Sequence, residues 1–304
     1  MKTSVVVCTF NGERFIVEQL KSIHLQTVQA DEVIIQDDCS SDRTRELIEC
    51  FISENNLQTT WTLNCNEKNL GWKKNFMSAI SKAEGDLIFL SDQDDIWYPD
   101  KIEKMSRICA DNPCIELLFS ELEAFDDGTG EKVKIYQPIY GTSGTTKVPL
   151  EKYFAECGRQ GCTYAISRIL IKYIDALWQE DWPHDGFLWC ICLSRGTLYS
   201  YNEPLVHYRR HSMASSPSNE KSVAVRSRLL ERYSSIGRML LKNKELLGIS
   251  NDNEQVIREA TEIYSARAES VKSRNVIKLI FLLRYLSFYP RPKAWVGDLI
   301  STIR

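Results

Sequence analysis

Residues Ser4 to Cys8 form an unbroken, mostly β-branched run with no polar alternation, the pattern of a strand covered on both faces. Amphipathic helical patterns and further apolar runs then alternate. Ile16, Leu20 and Ile23 recur at helical spacing, and Glu32 to Gln36 is a second strand. Leu47, Ile48 and Phe51 mark one face of a helix preceded by the N-cap residues Ser40, Ser41 and Asp42. Trp61 to Cys65, a helix over 71–83, the strand Leu87 to Leu90 and a helix carrying Ile102, Met105 and Cys109 follow. Such alternation implies right-handed crossovers and a parallel, layered α/β unit.

Beyond residue 110 the pattern is less regular. Ile115 to Ser120 predicts a strand, Asp126 to Gly130 a turn, and Ile135 to Pro149 a long loop of a length that is more often functional than idle. Gly161 to Ser167 and Leu198 to Tyr201 predict short strands. From about Lys221 a charged helical pattern takes over, with Leu229, Leu230, Tyr233, Ile236, Leu240 and Leu241 at helical spacing.

Composition narrows the function. A net charge of −3 gives no reason to expect nucleic acid. The ten cysteines lack paired metal-ligand spacing and read as reduced thiols in a cytosolic protein. No apolar run reaches the roughly twenty residues of a spanning helix.

The chemistry gathers at strand ends. Leu87 to Leu90 runs into Asp92, Asp94 and Asp95, and alternate carboxylates share a side while the chain stays extended. Oxygen ligands at the C-terminal end of a buried strand suit Mg²⁺ or Mn²⁺ with positions left for substrate phosphates. Thr9, Phe10, Asn11 and Gly12 end the first strand, and Asp37 and Asp38 end the second. For the latter pair a helix-capping turn is the plainer alternative.

The ordered set Val5-Val6-Val7-Cys8-Thr9-Phe10-Asn11-Gly12-Glu13, Ile34-Ile35-Gln36-Asp37-Asp38-Cys39-Ser40-Ser41-Asp42 and Ser91-Asp92-Gln93-Asp94-Asp95-Ile96-Trp97 resembles family 2 glycosyltransferases over residues 3 to 215. The resemblance implies a GT-A fold, a Rossmann-like nucleotide-binding sheet merged with an acceptor-binding region. It places a catalytic domain over 1–215, and residues 216–304 then form a C-terminal helical extension. Thr9, Phe10 and Asn11 would line the nucleotide, and Asp38 or Asp37 would accept a hydrogen bond from its base. Asp92, Asp94 and Asp95 would hold the metal.

Trp182-Pro183-His184-Asp185-Gly186-Phe187-Leu188-Trp189 resembles the segment carrying the family's catalytic base, with Asp185 in that role and Asp181 as runner-up. A helix N-cap is the plainer role for Asp185, and core filling is the plainer role for Trp182, Phe187 and Trp189. Tyr208-Arg209-Arg210-His211-Ser212 resembles the stretch in which a histidine reaches the metal and basic groups reach the diphosphate. His211 is thus the expected nitrogen ligand, with Arg209 and Arg210 toward phosphate and His207 structural. Gly161-Cys162 resembles a glycine near the acceptor.

The resemblance further implies an inverting enzyme of O-antigen or capsule repeat-unit assembly, at the cytoplasmic face of a bacterial membrane. Glucose from UDP-glucose, joined β-1,3 to an undecaprenyl-diphosphate-linked GlcNAc, is the expected transfer. A dTDP-rhamnose-dependent rhamnosyltransferase is the alternative, and a non-catalytic nucleotide-sugar-binding module is the rival of a different class. The apolar residues Val276, Ile277, Leu279, Ile280, Leu283 and Leu286, with Arg274, Lys278, Arg284, Arg291 and Lys293, predict a surface for the membrane interface.

Overall fold

A computed structural model describes residues 1–135, 140–156, 158–211 and 222–303. The expected domain boundary at 215/216 and Ser212 lie outside these residues, as do residues 136–139 of the expected loop. The first half alternates as its periodicity predicts: β1 (Thr3–Thr9), α1 (Ile16–His24), β2 (Glu32–Asp37), α2 (Thr44–Glu54), β3 (Trp61–Cys65), α3 (Trp72–Ile80), β4 (Leu87–Asp92). Then come β5 (Ile96–Trp97), α4 (Lys101–Asp111), β6 (Leu117–Asp126), β7 (Lys132–Val133) and β8 (Thr145–Lys147). The chain continues through β9 (Tyr164–Ser167), α5 (Ile171–Leu177), α6 (His184–Arg195) and β10 (Leu198–Arg210). It closes with α7 (Val223–Lys242), α8 (Lys244–Leu247), α9 (Asn251–Lys272), α10 (Val276–Phe281) and α11 (Pro292–Ile303).

The strands form one mixed sheet in the order β3-β2-β1-β4-β9-β6-β10-β5, with β7 on β6 and β8 on β10. The block β3-β2-β1-β4 is parallel. Every residue of β1 is buried, which explains its unbroken apolar run. Ile16, Leu20 and Ile23 of α1, Ile48 and Phe51 of α2, and Ile102, Met105 and Cys109 of α4 are buried at helical spacing. Each such aliphatic or aromatic side chain contributes about 1.5–3 kcal/mol by leaving water.

Register sets the site. Thr9 lies opposite Asp37, Cys8 opposite Asp92, and Asp37 opposite Cys65, so the polar ends of β1, β2 and β4 are level. They stand where consecutive strands depart to opposite sides of β1, the switch point at which open α/β sheets take ligands.

Three local expectations are corrected. Gly161 to Thr163 is a 3-10 turn, and the strand begins only at Tyr164. The strand expected over Leu198 to Tyr201 runs on to Arg210. Its pairing with β6 shifts register on either side of Pro204, whose missing N–H cannot join the ladder. The N-cap position of α2 is Arg43, and Asp42 acts from one residue earlier, Oδ1 accepting from the Thr44 amide at 3.0 Å.

Contacts divide the chain into two units. One comprises Met1–Val148, Gly158–Leu188 and Thr197–Ala214, and holds the sheet. The other comprises Pro149–Cys157, Trp189–Gly196 and Ser215–Arg304. Within the second, α7 and α9 pack so closely that a Cβ on Gly237 would lie 2.0 Å from Thr261 Oγ1. Asp298 of α11 is buried between cations: Arg267 Nε donates to it at 2.9 Å and Arg226 Nε at 2.6 Å. No helix among the described residues is long and apolar enough to cross a membrane.

Candidate active site

The loops leaving β1 and β2 are cross-linked through their own polar groups. Thr9 Oγ1 donates to Asp37 Oδ1 at 3.0 Å, and Asp37 Oδ2 accepts from the Ser40 amide at 2.8 Å. Asp38 accepts three donors from beyond β3: the amides of Leu70 (2.7 Å) and Gly71 (2.8 Å) and the side chain of Asn66 (2.8 Å). Both carboxylates therefore shape the loops after β1, β2 and β3, and neither caps α2. Asn11 (φ 47°) and Cys39 (φ 65°) hold left-handed conformations directly after the two strands. For cysteine that conformation carries strain, a feature that clusters at functional sites.

Gln93 joins this loop to the acidic motif. Its Oε1 accepts from the Phe10 amide at 2.8 Å, and its Nε2 donates to the Phe10 carbonyl at 3.0 Å. A Cβ on Gly12 would stand 2.2 Å from Gln93 Oε1, so glycine lets the amide reach the loop. The Phe10 ring itself is exposed.

The extended chain ends at Asp92 and turns through Gln93 and Asp94. Strand alternation thus does not align Asp92 with Asp94. Instead, ligand atoms of Asp92, Asp95 and Cys162 lie within 4.8 Å of one another. Asp94 Oδ2 meets His211 Nε2 at 2.7 Å, and the His211 ring rests on Phe15. Asp95 Oδ1 accepts from the Arg209 amide at 3.2 Å, while its Oδ2 is buried with no hydrogen-bond partner among the described residues.

Burial, then the charge of Asp94, pushes the Asp95 carboxyl up to about 7. Burial also raises Asp92, reinforced by Asp95, Asp94 and Asp185. Crowded carboxylates with an unmet oxygen fit a hard divalent cation. Beside this cluster Lys101 is fully buried, its Nζ donating to the Cys162 carbonyl at 2.6 Å and lying 4.2 Å from the Trp97 ring centre. Burial brings its ammonium down to about 8.

The long β10 delivers the basic stretch. Arg209 turns inward: Nε donates to the Asp94 carbonyl (2.8 Å), Nη1 to Asp127 (2.6 Å) and Nη2 to Glu18. Arg210 is exposed. His207 stacks on Tyr98 with ring centres 4.2 Å apart.

Asp185 lies inside the first turn of α6 rather than ahead of it, and its Oδ1 accepts from the Gly186 amide at 2.7 Å. A Cβ on Gly161 would lie 3.4 Å from Asp185 Cβ and 2.6 Å from His184 Nε2. The 161–163 turn therefore has Asp185 at one end and, at Cys162, the Asp92–Asp95 pair. Asp181 lies exposed on the preceding loop, its carbonyl accepting from Lys73 Nζ at 2.9 Å. Trp182, Phe187 and Trp189 are buried core residues.

His184, Lys101, Gln93 and the Asn66–Gly71 loop escape the sequence reading. Gln93 and His184 each have a sequence signal, one within the acidic motif and the other next to Asp185.

The family model described as Glycosyl transferase family 2 matches residues 4–167. The dTDP-rhamnosyl transferase RfbG of Shigella flexneri is 31% identical over 225 residues, 67% of this chain and 71% of that protein. Among solved structures, residues 1–349 of S. aureus TarS superpose with a TM-score of 0.63 at 17% identity, covering 100% of this chain and 81% of that one. The mannosyltransferase PcManGT of Pyrobaculum calidifontis, solved with GDP-Man and Mn²⁺, gives 0.53 at 17% identity over 99% of this chain and 85% of that one. At such identity these two likenesses show the fold alone.

Proposed function

The chain belongs to glycosyl transferase family 2 and has the GT-A fold, and from that premise we propose an inverting, metal-dependent transfer of one sugar to a lipid-linked acceptor. The observation that carries this reading is the crowding of Asp92 and Asp95, with an unmet buried oxygen, one short turn from Asp185. A carboxylate cluster that wants a cation beside a separate carboxylate that can take a proton is the pair of groups such a transfer needs.

In this reading Thr9, Phe10 and Asn11 line the nucleotide, with the loops held by Asp37 and Asp38 shaping its base end. Asp92, Asp94, Asp95 and His211 would hold Mn²⁺ or Mg²⁺. Such a cation offsets negative charge on the departing diphosphate. Asp185 takes the proton of the attacking hydroxyl as the bond between sugar and phosphate breaks; Asp181 is the runner-up. Arg210 is the arginine left to meet phosphate, while Arg209 steadies Asp94 and Asp127.

The likeness to RfbG supports dTDP-rhamnose as the donor. UDP-glucose, transferred β-1,3 to GlcNAc on undecaprenyl diphosphate, is the second reading and rests on the motif resemblance. In both, the product belongs to O-antigen or capsule assembly at the cytoplasmic face of a bacterial membrane. The test is nucleotide release from dTDP-rhamnose and UDP-glucose, with a GlcNAc-diphosphate lipid and Mn²⁺, with and without EDTA. Acceptor-dependent release from one donor, abolished by EDTA, is expected. Release from neither donor, or release that persists in EDTA, overturns the reading.

A further inference from the structure

Trp72 opens α3, and of the seven tryptophans, all among the described residues, it alone is exposed, at 43%. It is not loosely placed. Its ring and that of His184 meet in a T, centres 5.7 Å apart at 79°, and His184 lies flat on Phe76 at 3.9 Å. The imidazole is buried, with neither ring nitrogen hydrogen-bonded among the described residues, so it serves as an apolar backing for the indole. The next two residues tie the same helical turn to the segment that leads into Asp185. Lys73 Nζ donates to the Asp181 carbonyl, and Lys74 pairs with Glu180.

The indole is thus fixed against the residue that precedes Asp185, while Trp72 keeps 43% of its surface in solvent. A pyranose ring has a face of C–H groups and a rim of hydroxyls, and it matches a surface that joins an aromatic face to polar neighbours. Lys73 Nζ, 5.8 Å from the indole centre, supplies one such neighbour. The nucleotide side reaches this turn differently: Asp38 binds the Gly71 amide, whereas the ring itself leans on His184.

We propose that Trp72 is the platform on which the acceptor's sugar ring lies while its hydroxyl is presented to Asp185. This rests on Asp185 acting as the base, and names where that site takes its second substrate. Fixing the ring in one plane sets the angle of the attacking oxygen, a positioning contribution rather than a chemical one.

Binding separates this proposal from catalysis. A GlcNAc-diphosphate lipid with a short soluble tail is titrated into the full chain loaded with the donor's nucleoside diphosphate and Mn²⁺, and the nucleotide is titrated separately. Trp72→Ala is expected to weaken acceptor binding about tenfold or more and nucleotide binding by less than about twofold. Trp72→Phe, which keeps an aromatic face, is expected to recover most of the loss. Weakened nucleotide binding with unchanged acceptor binding would assign the indole to the nucleotide and overturn the proposal. So would equal loss of both, no change in either, or failure of the unmodified protein to bind the acceptor. An unmodified protein that binds acceptor but transfers nothing defeats the catalytic reading and leaves the platform standing.

Discussion

His184 shows how a single side chain can couple packing to pH. It stacks on Phe76, is buried, and has no hydrogen-bond partner for either ring nitrogen among the described residues. Burial therefore lowers its pKa to about 4, from an ordinary value near 6.5. In the unfolded chain the imidazole takes a proton near 6.5, so between the two values the unfolded state binds more protons. The stability tied to a neutral His184 is complete above about 6.5 and is lost as the pH falls toward 4. Between pH 7 and pH 5 that loss is about 2 kcal/mol. Urea unfolding at the two pH values should show it, and His184→Phe, which cannot titrate, should lose about that much less on acidification. Equal losses in the two proteins would mean that the imidazole is not the group responsible. Asp95 has the opposite sense, a carboxyl held up to about 7, and its proton must leave when a cation binds. Mn²⁺ affinity measured by calorimetry should therefore rise between pH 6 and pH 8, and a flat profile would remove Asp95 from the metal site.

Elements decide which carboxylates can act. Asp185 sits in the first turn of α6, where the unpaired amides of a helix start lie close to a side-chain carboxylate. We expect Asp185→Asn to lose about 10²- to 10⁴-fold in turnover with nucleotide affinity unchanged, because the amide keeps the shape but takes no proton. Asp181→Asn, on the exposed loop, should stay near the parent rate, and the reverse ranking would exchange the two roles. The same elements show why part of the molecule was legible. The ends of β1 to β4 fall within two residues of the sequence reading. Strands β1, β2 and β4, buried on both faces, leave apolar runs between polar ends, while the edge strand β3 is half exposed and is marked by Trp61 and Leu63. β10 reads as four residues and is thirteen, since Pro204 and its register shifts break the run midway. Alternation past Asp92 failed for a related reason: it presumes an extended chain, and the chain turns at Gln93. Cys162 approaches Asp92 and Asp95 only through the pairing of β9 with β4, a long-range contact without a local signature. His184 is a single histidine in a short segment, and no periodicity distinguishes it.

At the scale of the whole chain, the remaining question is where such an enzyme works, and the C-terminal helices bear on it. The apolar surface expected over 276–286 divides in two. Leu279 and Leu282 are buried, while Ile277 (68%), Phe281 (59%), Ile280 (52%) and Leu283 (41%) are exposed. From Arg274 to Gly297 the chain carries five lysines and arginines and no aspartate or glutamate. The first carboxylate after that stretch, Asp298, is buried against Arg226 and Arg267. Exposed apolar side chains among cations suit the boundary of an anionic bilayer, with acyl chains taking the former and headgroups the latter. A lipid-linked acceptor would give the protein reason to be there. Removing the segment at Ser273 would be a poor test, because the loss of Asp298 would break its pairs with Arg226 and the fully buried Arg267. Among the described residues Arg267 would keep only Glu156 as an ion-pair partner, at a cost of about 3–5 kcal/mol for a broken buried pair. Substitution at exposed positions avoids this. Ile277→Glu combined with Ile280→Glu should leave the melting temperature within about 2 °C of the parent, since neither side chain is part of a core. The same pair places two negative charges where the headgroups are negative. Flotation with vesicles containing phosphatidylglycerol should therefore fall sharply, while vesicles of phosphatidylcholine alone should bind little of either protein. If the doubly substituted chain, still folded, floats as well as the parent, this face is not what meets the membrane.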